Sequence, residues 1–178
     1  MMFGRRFLSI CVLTLVLALS GVLSGCANLQ AADDGRAIVY LVRHAEKELG
    51  PDPELTAEGQ ARAELLVSVL ADAQIEVIYS TDYQRTRATA QPIARNRNLP
   101  VIFYDAGDLA GFAAKLKSDG RSVLVVGHSN TTPDLANALG GDGGSPIVEA
   151  DEYDRLYRIT LGEDVRTELL RFGISAAD

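Results

Sequence analysis

Four side chains in this sequence invite chemistry: Arg43, His44, Arg85 and His128. His44 and His128 are the only histidines in the chain, and each closes a short apolar run, Ile38–Val42 and Val123–Gly127. Two permanent cations and two imidazoles gathered at one place suit an anion with several oxygens. Phosphate is the obvious candidate, because a guanidinium fork can hold two phosphoryl oxygens at once. A histidine among such cations tends to stay neutral, since nearby positive charge disfavours its protonated form. Neutral imidazole is what a nucleophile requires. The predicted chemistry is attack of a His44 ring nitrogen on phosphorus and transfer of the phosphoryl group to that nitrogen. Water then hydrolyses the phosphohistidine, while Arg43, Arg85 and His128 hold the phosphoryl oxygens. Such transfer is mostly positioning and charge stabilisation, so no metal or other cofactor is expected. Losing one donor should cost roughly 3–4 kcal/mol.

The elements that must position these groups are legible as apolar runs separated by helical stretches. Ile38–Val42 is continuously apolar, the pattern of a strand covered on both faces, and Arg43 and His44 then sit at its carboxyl end, the rim where open α/β sheets bind ligands. Gly50, Pro51 and Pro53 make a loop over that end. Thr56 predicts an N-cap with Glu58 in the first turn, and Ala61, Leu65, Leu66, Val69 and Leu70 suggest the buried helix face. Glu76–Ser80 reads as a strand. Asp82 then caps a helix carrying Arg85, with a kink expected at Pro92. A third strand, Val101–Tyr104, leads to a helix capped by Asp108. After His128, Thr131 or Thr132 caps another helix, with Pro133 near its start. Gly140–Pro146 reads as a glycine-rich loop, a candidate mobile flap. Leu156–Leu161 and Val165–Phe172 read as an antiparallel hairpin. The fold class is therefore α/β, with a mostly parallel central sheet and an antiparallel edge hairpin.

Composition narrows the setting. Residues 1–25 carry Arg5 and Arg6, then the apolar stretch 7–19, then small residues, the pattern of a secretory signal. The stretch is shorter than the ~20 residues needed to span a bilayer. Leu23-Ser24-Gly25-Cys26 looks like a bacterial lipobox, which makes Cys26 the lipid-modified first residue of the mature chain. Cys11 would leave with the signal, so no disulfide is expected. Residues 26–36 form the lipidated cysteine and a short tether, and 37–178 the domain. Loss of residues 1–25 removes two of 17 basic residues and none of the 24 acidic ones, taking the net charge from −7 to −9. So acidic a chain argues against nucleic acid as a partner. The expectation is an exported protein held by lipid to a bacterial envelope membrane, on its periplasmic or extracellular face, acting on a small phosphorylated substrate.

Taken together, Arg43-His44-Ala45-Glu46, Leu55-Thr56-Ala57-Glu58-Gly59, Tyr79-Ser80 with Arg85-Thr86 and Thr89-Ala90, and Gly127-His128 resemble the ordered motifs of the histidine phosphatase superfamily, the phosphoglycerate mutase-like fold. The resemblance spans roughly residues 38–139. It implies a three-layer α/β/α sandwich, His44 as phosphorylated nucleophile, and Arg43, Arg85 and His128 as phosphate ligands. The short connections resemble the small branch-one phosphohistidine phosphatases, whereas mutases of the family usually carry longer insertions. In branch one a glutamate after the third strand usually donates the proton. Here Asp105–Phe112 offers only Asp105 and Asp108, and where acid phosphatases have an aspartate after the second histidine this chain has Ser129. Asp108 is the expected acid, with plain helix capping as its other reading. Ser129 and Asn130 either donate to a phosphoryl oxygen or cap the following helix. The acidic run Glu149–Asp154 reads as a solvated face from which Tyr153 could border the pocket. The alternative function is a non-catalytic lipoprotein that binds a phosphorylated ligand in the same cradle.

Overall fold

The computed structural model describes Met1 and residues 36–173. Residues 2–25 of the expected signal segment, Cys26, nearly all of the tether and the last five residues of the expected domain lie outside them. The chain divides into compact units Met1–Ala32 and Asp33–Asp178, and the domain described here is the second.

Its strands are β1 (Ile38–Arg43), β2 (Val77–Ser80), β3 (Val101–Phe103), β4 (Val123–Gly127), β5 (Arg155–Thr160) and β6 (Arg166–Arg171). The helices are α1 (Ala57–Val69), α2 (Gln84–Arg97), α3 (Leu109–Asp119) and α4 (Thr131–Ala138). The sheet runs β3-β2-β4-β1-β5-β6, with β1, β2, β3 and β4 parallel and β5 antiparallel to both β1 and β6. Residue parity sorts the core, because successive strand side chains point to opposite faces. Val39, Leu41, Tyr79 and Val125 pack with Phe112, Leu116, Leu135 and Leu139 from the α3 and α4 side. Tyr40, Val42, Ile78 and Val126 pack with Leu66, Leu70 and Ile93 from the α1 and α2 side. The result is the expected three-layer α/β/α sandwich with an antiparallel edge hairpin.

Several local expectations are corrected. Helix α1 buries Gly59, Arg62, Ala63 and Leu66, while Leu65 and Val69 are 39% and 40% exposed. Two contacts fix this rotation. A Cβ at Gly59 would overlap the Glu46 carbonyl oxygen, so the helix can lie flush on the chain leaving β1 only with glycine there. Arg62 turns inward because its charge is met, by the Glu46 carboxylate (Nη2–Oε1 2.6 Å) and the Phe172 carbonyl (2.8 Å). Helix α2 starts after Tyr83 with no cap from Asp82. Asp52, from the loop after β1, accepts from the Gln84 N–H at 2.9 Å, and Asp82 pairs with Arg87 instead. The helix continues through Pro92 to Arg97. For α4 the N-cap residue is Asn130, and Thr131 Oγ1 instead accepts from the His128 N–H at 3.0 Å.

The glycine-rich loop is tied down. Gly143 N–H donates to Asn137 Oδ1 (2.8 Å), Asp142 N–H to Thr167 Oγ1 (2.9 Å), and the Tyr157 hydroxyl to the Gly143 carbonyl (2.9 Å). Buried Arg155 reaches Ser145 and Pro146 from the start of β5.

Candidate active site

Strands β1 and β4 are parallel neighbours in a register that pairs Arg43 with Gly127. His44 and His128 therefore leave the sheet side by side. The His44 N–H donates to the Gly127 carbonyl at 2.9 Å, and the two ring centroids are 5.6 Å apart. Gly127 has no room for a side chain, since a Cβ would come within 2.9 Å of the Tyr104 hydroxyl and 3.0 Å of Thr131 Oγ1.

Each imidazole has a tautomer fixed by its partner. His44 Nδ1 lies 2.8 Å from the Ala45 carbonyl oxygen. A carbonyl can only accept, so Nδ1 carries the proton and Nε2 keeps its lone pair. Thr89 braces this arrangement: its hydroxyl accepts from the Ala45 N–H (2.9 Å) and donates to the Arg85 carbonyl (2.8 Å). His128 Nδ1 lies 3.4 Å from Arg85 Nη2, which can only donate, so the proton of neutral His128 is on Nε2. That proton goes to Thr81 Oγ1 at 2.9 Å, Thr81 donates to Thr86 Oγ1 at 3.0 Å, and Thr86 donates to the Thr81 carbonyl at 2.8 Å.

Both imidazoles are held neutral. Burial is the main cause at His44, lowering its pKa to about 3; Arg43, Arg85 and His128 add to the effect and the Ala45 hydrogen bond opposes it. Burial and then Arg85 bring His128 down to about 4, with Glu149 pulling the other way.

His44, Arg85, His128, Ser129 and Asn130 line one cleft of about 420 Å³, together with Tyr83, Ala106, Thr131 and Glu149. The cleft therefore meets the N-terminal end of α4, whose dipole favours an anion. Tyr83 forms one wall, its ring 5.2 Å from that of His128 and 4.4 Å from the Arg85 guanidinium carbon. Arg85 Nη1 also lies 3.6 Å from Asp52 Oδ1. The Nε atoms of Arg85 and Arg43 are buried and have no partner. Unmet donors of this kind are costly in a folded protein unless something else satisfies them.

Two predicted site residues are not among those lining the cleft. Asp108 caps α3, its carboxylate accepting from the Gly111 N–H at 2.9 Å. Arg43 sits beside His44 but sends its Nη atoms to the carbonyls of Val148 (3.4 Å), Glu149 (2.8 Å) and Glu152 (3.1 Å), under the ring of Tyr153 at 4.0 Å. Tyr153 does border the site, 6.1 Å from the His44 ring. Sequence reasoning missed Glu149, Tyr83 and Thr81. Glu149 reads as part of a solvated acidic run, yet its carboxylate accepts from the Ser129 hydroxyl and lies 3.3 Å from Arg43 Nη2. Among the described residues no group of three His, Cys, Asp or Glu side chains could hold a metal ion.

Residues 39–106 match the family model of the histidine phosphatase superfamily (branch 1), and the fold is similar to that of solved histidine phosphatases. Particular relatives follow. Phosphoserine phosphatase 1 of Hydrogenobacter thermophilus is 42% identical over 75 residues, 38% of this chain and 36% of that enzyme. The chain spans about a quarter to a third of the length of the curated relatives it matches. Among solved structures, the protein histidine phosphatase SixA complexed with tungstate aligns with TM-score 0.60 and 21% identity, over 75% of this chain and 94% of that one. The alpha-ribazole phosphatase from Shigella flexneri aligns with TM-score 0.62 and 16% identity, over 79% and 99%.

Proposed function

We propose that this chain is a phosphatase that hydrolyses phosphomonoesters through a covalent phosphohistidine on His44. The observation that carries the reading is the hydrogen bond from His44 Nδ1 to the Ala45 carbonyl, which leaves a neutral, buried imidazole with its Nε2 lone pair available. Nε2 attacks phosphorus, the bond from phosphorus to the ester oxygen breaks, and water later displaces the histidine. Arg85, the α4 N-terminus and the Nε of Arg43 supply positive charge to the phosphoryl oxygens, with Ser129 and Asn130 as further donors. His128 enters as a neutral acceptor from Arg85. A bound dianion favours its protonated form, so that Nδ1 then donates to a phosphoryl oxygen. The phosphatase relatives support the same reaction class.

We also propose that Cys26 is lipidated and holds the domain at a bacterial envelope membrane after export. The support is the lipobox pattern Leu23–Cys26. Loss of acyl mass and of membrane fractionation in Cys26→Ser tests this.

The test of function is hydrolysis of 4-nitrophenyl phosphate by the full-length chain in detergent, beside His44→Ala, with mass spectrometry for acid-labile phosphohistidine. Turnover and phosphate adduct that both vanish in the variant are expected. A folded parent that binds vanadate without turnover would overturn the reading in favour of a phospho-ligand-binding protein.

A further inference from the structure

We infer that Glu149 is the acid that protonates the leaving group and the base that then activates water, an assignment that rests on the phosphatase reading above. An alkoxide is a poor leaving group, so ester cleavage calls for a proton donor within reach of the cleft. Among the described residues lining the cleft Glu149 is the only carboxylic acid. Asp108 is committed to capping α3, and Asp105 accepts from the Gly107 N–H.

The mounting of Glu149 suits this role. Its backbone is fixed, because Arg43 grips the carbonyls of Val148, Glu149 and Glu152 with its two Nη atoms. Glu152 closes the same turn: its N–H donates to the Val148 carbonyl at 3.0 Å, and its carboxylate accepts from the Val148 N–H at 2.9 Å and from Arg155. The side chain, by contrast, is 66% exposed and free to meet substrate and water. It touches both walls, accepting from Ser129 beside His128 and lying near Arg43 beside His44. Residue 43 therefore fixes the turn that carries the acid, while its neighbour is the nucleophile.

In the first step His44 Nε2 forms a bond to phosphorus, the bond from phosphorus to the ester oxygen breaks, and the Glu149 proton passes to that oxygen. In the second step the Glu149 carboxylate takes a proton from water, the water oxygen bonds to phosphorus, and the bond from phosphorus to Nε2 breaks. Phosphate departs and Glu149 is again protonated.

The test compares kcat/KM of the full-length chain and Glu149→Gln on glycerol 2-phosphate, an alkyl ester, and 4-nitrophenyl phosphate, whose leaving group needs little help. The expected result is a loss of 100-fold or more on the alkyl ester and under tenfold on the aryl ester, with phosphohistidine accumulating in the variant because its hydrolysis lacks a base. Glu149→Asp should recover part of the alkyl activity. Equal losses on both esters, or no accumulated phosphohistidine, would overturn the assignment while leaving the phosphatase reading intact. A parent protein that hydrolyses neither ester overturns the phosphatase reading itself.

Discussion

Two buried arginines lie side by side at the rim, Arg43 ending β1 and Arg155 opening β5, and their surroundings differ in one respect. Every N–H-bearing nitrogen of Arg155 has a partner: Nε and Nη2 meet the Glu152 carboxylate at 2.7 and 2.9 Å, and Nη1 and Nη2 also bind Ser145. Its charge is matched within the fold, and it holds the loop before β5 in place. Arg43 and Arg85 each retain a buried Nε with no partner. Arg97, at the end of α2, also has an unpartnered buried Nε. It is therefore the cleft lined by Arg85 and His44, and not the open donor alone, that leaves room for a ligand to complete the guanidinium groups of Arg43 and Arg85. The region around Arg155 is therefore a staple, and the region around Arg43 and Arg85 a receptor.

That contrast can be broken most severely at the proposed nucleophile. His44→Ala should lower turnover by about 10⁴-fold or more, the scale on which deleting a covalent nucleophile acts. A crossed pair of variants then separates receptor from staple. Arg85→Ala should reduce kcat/KM by about 10²–10³-fold and abolish stabilisation by vanadate, with the denaturation midpoint unchanged or raised. Arg155→Met should cost about 3 kcal/mol of stability, because it leaves Glu152 without its main partner, yet keep the vanadate effect. Urea melts with and without vanadate check both. If the two variants behave alike, the distinction fails.

Acid tests the receptor side from another direction. The folded-state pKa values of His44 and His128, about 3 and about 4, lie below the ordinary 6.5, so the unfolded chain binds more protons between these values. Stability is full above pH ~6.5 and declines as pH falls towards ~3, for buried His44 at up to about 1.4 kcal/mol per pH unit. Glu152 acts in the same sense at lower pH. Burial alone would raise its pKa, but hydrogen bonds from Arg155, Val148 and Arg171 hold it at about 2. Melting His44→Gln at pH 7 and pH 5 should show a smaller acid loss than the parent. The smallest effect is expected at Thr89, which positions the Ala45 peptide. Thr89→Val should lower kcat/KM by about fivefold to tenfold with KM little changed, and Thr89→Ser should restore it.

Much of this was readable in the sequence, for a specific reason. Apolar runs that end in His44 and His128 identify strand ends, and parallel strands bring their carboxyl ends to one rim. Arg85, Ser129 and Asn130 follow from the same logic. What escaped depends on pairing across long separations. Helix α1 turns Arg62 inward because Glu46 and Phe172 are waiting for it, and periodicity cannot see partners 16 and 110 residues away. The N–H of Gln84 is capped by Asp52 rather than by nearby Asp82. Glu149 looked solvated because its neighbours are acidic. It reaches the cleft through Arg43, 106 residues earlier.

The antiparallel direction of β5 bears on how the site could be altered. A parallel strand beside β1 would begin at the far edge of the sheet, and its preceding segment would have to cross a face to arrive. Because β5 runs the other way, with Leu156 opposite Val42, the segment ahead of it is delivered straight to the cleft. Residues 144–147 thus run between two fixed points, Gly143 held by Asn137 and Tyr157 and the turn gripped by Arg43, with Arg155 bound to Ser145 and Pro146 between them. Insertions there would reshape the mouth of the cleft and leave sheet register and both histidines where they are. For redesign of substrate preference, that segment is the adjustable part of the molecule.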